Sequence, residues 1–265
     1  MEDGKRRFRM RCGQPNTLQH STTDAGGFWS MPDREAIILA GGLGTRLSSV
    51  VADRPKVMVD LGGRPFLEIL LDRLSQSGIA RVILATGHMH QYIANHFGSR
   101  WRDLELHYSV EKHALGTGGA VREALKLVTQ REAFVLNGDT FFDVDLQLLH
   151  EFHRSMNADV TVALKPMQGF ARYGAVDVKD GRITGFREKQ KTDSGLINAG
   201  VYLMNRDVFE RFVFPGKFSL ETDFLEQKTC EMALCGFVRD GYFIDIGLPE
   251  DCIRARRELP PRSQA

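Results

Sequence analysis

A chain of 265 residues, 42% of them hydrophobic, is long enough to bury one substantial α/β core. Its 35 Lys and Arg stand against 34 Asp and Glu, a formal charge of +1 that supplies no overall field for gathering nucleic acid or an anionic membrane, so any anion must be held locally. The longest apolar runs fall far short of the roughly 20 residues that cross a bilayer, and four scattered cysteines (Cys12, Cys230, Cys235, Cys252) make neither a disulfide framework nor a C-x-x-C pair, which predicts reduced thiols in a cytoplasmic protein.

Residues 1–32 are basic at first, then polar and glycine-rich, without apolar periodicity or the apolar centre of a signal peptide. They are expected to be a disordered or vector-derived extension, with Met31 a candidate start, ahead of a single domain over residues 33–260. From Glu35 onward short apolar runs alternate with helix-period segments, the pattern of βα units around a mainly parallel sheet. The first strand is predicted at Ala36-Ile37-Ile38-Leu39-Ala40 and is followed by a glycine loop. A helix over residues 66–77 places Phe66, Leu67, Leu70, Leu71 and Leu74 at helical spacing and stops at Gly78. A strand at 82–85, a helix at 91–97, a strand at 106–110, a helix at 119–127 and a strand at 134–136 continue the alternation.

The strand at 134–136 runs directly into Asn137-Gly138-Asp139. Beyond it, strands are predicted at 160–164, 174–178, 182–186 and 197–203, with Lys179-Asp180-Gly181-Arg182 a hairpin signal. Such a run predicts an antiparallel extension laid against the parallel sheet, before a short last helix at 249–257.

Chemistry concentrates first in Leu39-Ala40-Gly41-Gly42-Leu43-Gly44-Thr45-Arg46-Leu47, with Arg54-Pro55-Lys56 downstream. Glycines after a buried strand let the backbone approach a ligand, and their N–H groups can converge on phosphate oxygens. Arg46 and Lys56 add positive charge. Leu47 stands where the third glycine of G-x-G-x-x-G would be and no Gly-Lys-Ser/Thr occurs, which weakens a dehydrogenase or P-loop reading. Asp139 follows a buried strand, so its carboxylate should emerge at the strand's C-terminal end, where open α/β sheets bind ligands. A hard carboxylate there suits Mg²⁺, and Asp245 likewise follows an apolar strand. His88, His90 and His96 lie in a strand-to-helix connection without a carboxylate or cysteine set and are read as non-metal residues.

The glycine loop with Pro55-Lys56 resembles the signature of the sugar-phosphate nucleotidyltransferase family. Leu115-Gly116-Thr117-Gly118-Gly119-Ala120, Leu136-Asn137-Gly138-Asp139, Tyr173-Gly174, Phe186-Arg187-Glu188-Lys189, Asn198-Ala199-Gly200-Val201-Tyr202 and Phe243-Ile244-Asp245-Ile246-Gly247 follow in the family's order across residues 35–259. The resemblance implies a Rossmann-like α/β fold, with a mixed, mainly parallel sheet flanked by helices and an antiparallel sugar-binding extension. It implies a nucleotide site at Leu39, Ala40, Gly41, Gly42, Gly44, Thr45, Arg46, Lys56, Gly116, Thr117 and Gly138, with Glu111 as a base contact. It implies a sugar-phosphate site at Tyr173, Gly174, Glu188, Lys189 and Asn198, and Mg²⁺ on Asp139 and Asp245. Arg46, Lys56, Asp139, Lys189 and Asp245 would carry the catalysis.

Within the family the chain resembles guanylyltransferases acting on D-glycero-α-D-manno-heptose 1-phosphate, which make GDP-heptose for capsule and other surface polysaccharides. Its compact length, Gly116-Thr117-Gly118-Gly119-Ala120 and Phe218-Ser219-Leu220-Glu221-Thr222-Asp223 carry that likeness. The expected partners are a nucleoside triphosphate, GTP favoured, and a sugar 1-phosphate, with no nucleic acid or membrane; self-association stays open. The alternatives are a thymidylyl-, cytidylyl- or uridylyltransferase, or a catalytically silent nucleotide-sugar-binding regulatory subunit.

Overall fold

A computed structural model of the chain describes residues 34–42, 54–188 and 192–259. The expected extension at 1–32 lies outside the described residues, as do Gly44, Thr45, Arg46 and Lys189.

Strand β1 (Glu35–Leu39) is flanked in parallel by β2 (Arg81–Thr86) and β5 (Glu132–Asn137), and β4 (Leu104–Val110) continues the parallel set beyond β2, with the short β3 (Arg100–Trp101) at its edge. On the other side β10 (Thr192–Asn205) pairs antiparallel with β5, β7 (Val160–Phe170) antiparallel with β10, and β11 (Leu234–Val238) parallel to β7. The hairpin of β8 (Ala175–Lys179) and β9 (Arg182–Arg187) completes that side. Its turn residues Asp180 and Gly181 sit at φ 50° and 76°, the positive angles a tight two-residue hairpin demands. The antiparallel half is thus not a separate layer: among the described residues it continues the same ten-stranded sheet.

Alternation along β1 builds two layers. Ala36 and Ile38 face a core formed with α1 (Phe66–Gln76), α2 (His90–Phe97), α4 (Leu146–Ser155) and α5 (Pro249–Glu258), whereas Ile37 faces a second core formed with α3 (Gly116–Leu125) and the segment around Phe218 to Leu225. A strand buried on both faces reads as a continuous apolar run, which is why 36–40 was legible. Five fully or almost fully buried side chains of α1, Phe66, Leu67, Leu70, Leu71 and Leu74, contribute on the order of 10 kcal/mol of burial free energy at about 2 kcal/mol each. That helix ends as expected at Gly78, φ 73°. Among the described residues no helix is long and apolar enough to cross a membrane.

Two helices differ from the sequence reading. Helix α4 lies outside the elements read from the sequence, although Asp145 caps it by accepting from the Gln147 and Leu148 amides at 2.8 and 3.1 Å. Helix α3 begins at Gly116 rather than near 119, running through glycines that disfavour helix on propensity alone. Packing against the chain around Phe218 outweighs that cost.

Candidate active site

The first strand lies between β2 and β5 while later strands add on both sides, so its C-terminal end is a topological switch point, the place where open α/β sheets gather ligands. There Leu39 pairs with Asn137, and the Gly138 amide donates to the Leu39 carbonyl at 3.0 Å. A Cβ on Gly138 would stand 2.1 Å from that oxygen and 2.9 Å from Val57, so only glycine lets the two strand ends touch. This contact sets Asp139 beside the start of the glycine loop. Lys56 arrives on a short 3₁₀ turn, residues Lys56–Met58, whose Val57 and Met58 are buried anchors. Its ammonium meets Asp139 Oδ2 at 2.5 Å, with the lysine side chain 11% exposed.

Asp245 reaches the same place on a separate ribbon. Strand β12 (Phe243–Asp245) pairs antiparallel with β6 (Thr140–Phe142), putting Asp245 opposite Thr140, and the Ile246 amide donates to the Asp139 carbonyl at 2.9 Å. The two acids predicted from distant segments are therefore neighbours. Burial raises the Asp245 pKa above the usual carboxylate range and the Asp139 charge raises it further, while Lys56, Arg172 and the Gly247 amide act in the opposite sense. Arg172 links this acid to the last helix, its Nη1 2.7 Å from Asp251 Oδ2 and its Nη2 3.8 Å from Asp245 Oδ2.

A cleft of about 770 Å³ opens from these carboxylates, within the size range of small-molecule sites. Four sugar-side residues named from sequence, Tyr173, Gly174, Glu188 and Asn198, line it together with Asp139 and Asp245. Tyr173 stands edge-on to Phe243 at 5.6 Å, and its phenol is pushed up to about 12 by burial and by Asp245. Gly174 lies where a Cβ would approach the Arg187 carbonyl to 2.8 Å, so the chain can pass at this wall only without a side chain.

The nucleotide-side residues collect on the adjoining face. The Ala40 amide donates to Ala85 at 2.8 Å, Gly42 is exposed, and a Cβ on Gly41 would lie 3.2 Å from the Gly87 nitrogen and 3.3 Å from Glu111 Oε1. Glu111 Oε2 accepts from the Leu115 amide at 3.0 Å, and burial raises the carboxyl's pKa. The second glycine string has a structural task that spacing did not reveal. Phe218 passes directly over it: its carbonyl accepts from the Gly118 amide at 3.0 Å, and a Cβ on Gly118 would stand 2.3 Å from its ring. Gly116 takes φ 72° at the same crossing, 2.4 Å from the Phe218 carbonyl by the same measure. Thr117 is engaged as well, donating to Glu221 at 2.9 Å and accepting from the Leu220 amide at 2.8 Å.

Sequence reasoning did not single out Arg172, Tyr202 or Glu221 as site residues. Arg172 directly precedes the Tyr173-Gly174 motif, Tyr202 ends the Asn198 motif and Glu221 lies within the Phe218–Asp223 segment, which was the available signal.

With this geometry in hand, comparison with known proteins is specific. Residues 35–261 match the model of the family described as Nucleotidyl transferase. The D-glycero-alpha-D-manno-heptose 1-phosphate guanylyltransferase of Aneurinibacillus thermoaerophilus is 46% identical over 85% of this chain and 98% of its own, and that of Campylobacter jejuni is 44% identical over 82% and 96%. The crystal structure of HddC from Yersinia pseudotuberculosis complexed with GMP-PN superposes with a TM-score of 0.77 at 35% identity, covering 86% of this chain and all of that one. Fold, junction of motifs and relatives agree, and the chain belongs to the nucleotidyl transferase family.

Proposed function

We propose that this enzyme transfers GMP from GTP to D-glycero-α-D-manno-heptose 1-phosphate, giving GDP-heptose and pyrophosphate. The observation that carries the reading is the meeting of Lys56, Asp139 and Asp245 at the switch point, at the mouth of the cleft lined by Glu188 and Asn198. The heptose guanylyltransferases at 44–46% identity support the choice of base and sugar.

A phosphate oxygen of the sugar 1-phosphate attacks the α-phosphorus of GTP; the bond from that phosphorus to the bridging oxygen breaks, and pyrophosphate leaves with the electron pair. The monoester loses its second proton near pH ~6, so at neutral pH the attacking group is already largely ionised and no general base is needed. The obstacle is repulsion between two polyanions and the entropy of aligning them, for which alignment can supply roughly 7–11 kcal/mol. Lys56, fixed by the buried turn behind it, presents its charge to the triphosphate; by resemblance Gly41, Gly42, Gly44, Thr45 and Arg46 cradle the same phosphates, and Lys189 meets the sugar phosphate. Glu111 offers Oε1, the oxygen the Leu115 amide leaves open, to the guanine amino group. Glu188 and Asn198 take the sugar hydroxyls.

Two hard carboxylates side by side, one held up in pKa by burial and the other's charge, fit a Mg²⁺ that takes one or two protein carboxylates and fills its shell with water and phosphate oxygens. Asp139 and Asp245 would hold it, and its charge would offset that of the reacting phosphates. The reaction belongs in the cytoplasm, supplying activated heptose for capsule or other surface polysaccharide.

Pyrophosphate release, measured with each of the four ribonucleoside triphosphates and dTTP against a panel of sugar 1-phosphates, tests the proposal. GTP with the heptose phosphate should give the highest kcat/KM. Turnover with UTP, CTP or dTTP but not GTP would reject it in favour of another nucleotidyltransferase, and absence of Mg²⁺-dependent turnover with every pair would favour the regulatory-subunit reading.

A further inference from the structure

Under the floor of the cleft lies a phenol whose hydroxyl has no part in the chemistry above. Tyr202 is fully buried on β10, yet its oxygen receives the Asn198 Nδ2 group at 2.9 Å. It stands 3.4 Å from Glu221 Oε1, to which it donates. The other oxygen of Glu221 accepts from Thr117 at 2.9 Å and from Ser219 at 3.2 Å. Asn198 is held a second time, its Oδ1 accepting from the Gly200 amide at 2.9 Å, which fixes which end of the amide faces the phenol. One polar chain therefore runs from Thr117, on the helix that begins the nucleotide side, through Glu221 and Tyr202, to Asn198 on the sugar side.

A buried hydroxyl that accepts one hydrogen bond and donates another is costly to place unless both are made, and once made they leave its partners little freedom. We propose that Tyr202 and Glu221 are positioning residues that hold the sugar-contacting Asn198 in fixed register with Thr117, so that the two substrates meet in line. This inference rests on the proposed reading of the cleft as the sugar 1-phosphate site.

The test compares Tyr202→Phe, which removes one oxygen from an otherwise unchanged ring, with Glu221→Gln, which keeps the size but replaces an acceptor with a donor. Steady-state kinetics with GTP and D-glycero-α-D-manno-heptose 1-phosphate should show KM for the sugar phosphate raised about 5- to 30-fold in both, the ratio that one or two lost hydrogen bonds carries. KM for GTP should rise in Glu221→Gln, which disturbs Thr117, and stay unchanged in Tyr202→Phe. Lowered thermal stability with wild-type KM values would mean the network serves the fold alone and would overturn the assignment. An effect of Glu221→Gln without one of Tyr202→Phe would overturn the relay, because Glu221 would then act on substrate by itself. Wild-type protein without turnover or calorimetric binding of the sugar phosphate would instead overturn the reading of the cleft, and the relay with it.

Discussion

Replacing Lys56 with methionine removes one positive charge and keeps an unbranched stem over the buried Val57–Met58 anchor. The ammonium sits 2.5 Å from Asp139 on a side chain that is 11% exposed, so it acts in a partly dry setting where charge is poorly screened. A unit charge facing another at 4 Å is worth about 4 kcal/mol at an effective dielectric of 20, and deleting one preorganised electrostatic contact costs roughly 10²–10³ in kcat. Stability should change far less. The Asp139 side chain left behind is 36% exposed and can hydrate, so the loss should be about 1 kcal/mol, or roughly 2–4 °C in Tm. The assay is pyrophosphate release with GTP, heptose 1-phosphate and Mg²⁺, alongside calorimetric melting of the same preparation. Lys56→Met with kcat/KM within about threefold of wild type would refute the placement of this charge on the reacting phosphates.

Asp245→Asn and Asp139→Asn should each raise the Mg²⁺ concentration giving half-maximal turnover by about tenfold or more, since each removes one of the two charges offered to the ion; metal titration of the initial rate checks this. Gly138→Ala should cost about 3 kcal/mol or more in urea unfolding or prevent folding, because its Cβ would lie 2.1 Å from the Leu39 carbonyl. At the opposite end of β5, burial of Glu132 works against its charge, yet the His150 imidazole 3.1 Å away, a hydrogen bond from Arg154 and the nearby His153 hold its pKa down to about 2 from 4.5. A depressed carboxylate contributes stability that is full above the unfolded pKa and is lost as pH falls towards the folded one. The stability gap between wild type and Glu132→Gln should therefore be up to about 3 kcal/mol above pH ~5 and close progressively towards pH ~2, as read by urea unfolding across that window.

What the sequence made legible follows from how local each signal is. The strand at 36–40 is buried on both faces, and helix α1 carries its apolar residues at helical spacing, so both showed in the pattern. Asp139 could be placed because a buried strand ends two residues earlier. Its meeting with Asp245 depended on the pairing of β6 with β12, two three-residue strands about a hundred positions apart, which periodicity cannot register; the family resemblance supplied the pairing. The glycines at 116–119 showed the converse difficulty. Their spacing matched a ligand loop, but their steric necessity comes from Phe218 crossing above them, a contact between segments that carry no shared pattern. Tyr202 and Glu221 escaped for a related reason, since a buried tyrosine on an apolar strand and a glutamate in an acidic run look unremarkable until a fold brings them within 3.4 Å.

In the proposed mechanism a divalent ion and the reacting phosphates meet between the acids of β12 and of the loop after β5. Crystals grown with Mn²⁺, a non-hydrolysable GTP analogue and the sugar 1-phosphate, measured at the manganese absorption edge, test this directly. The anomalous peak should lie between the Asp139 and Asp245 carboxylates, in contact with the α-phosphate and with Lys56 nearby. A peak elsewhere, with the triphosphate bound away from both acids, would contradict it.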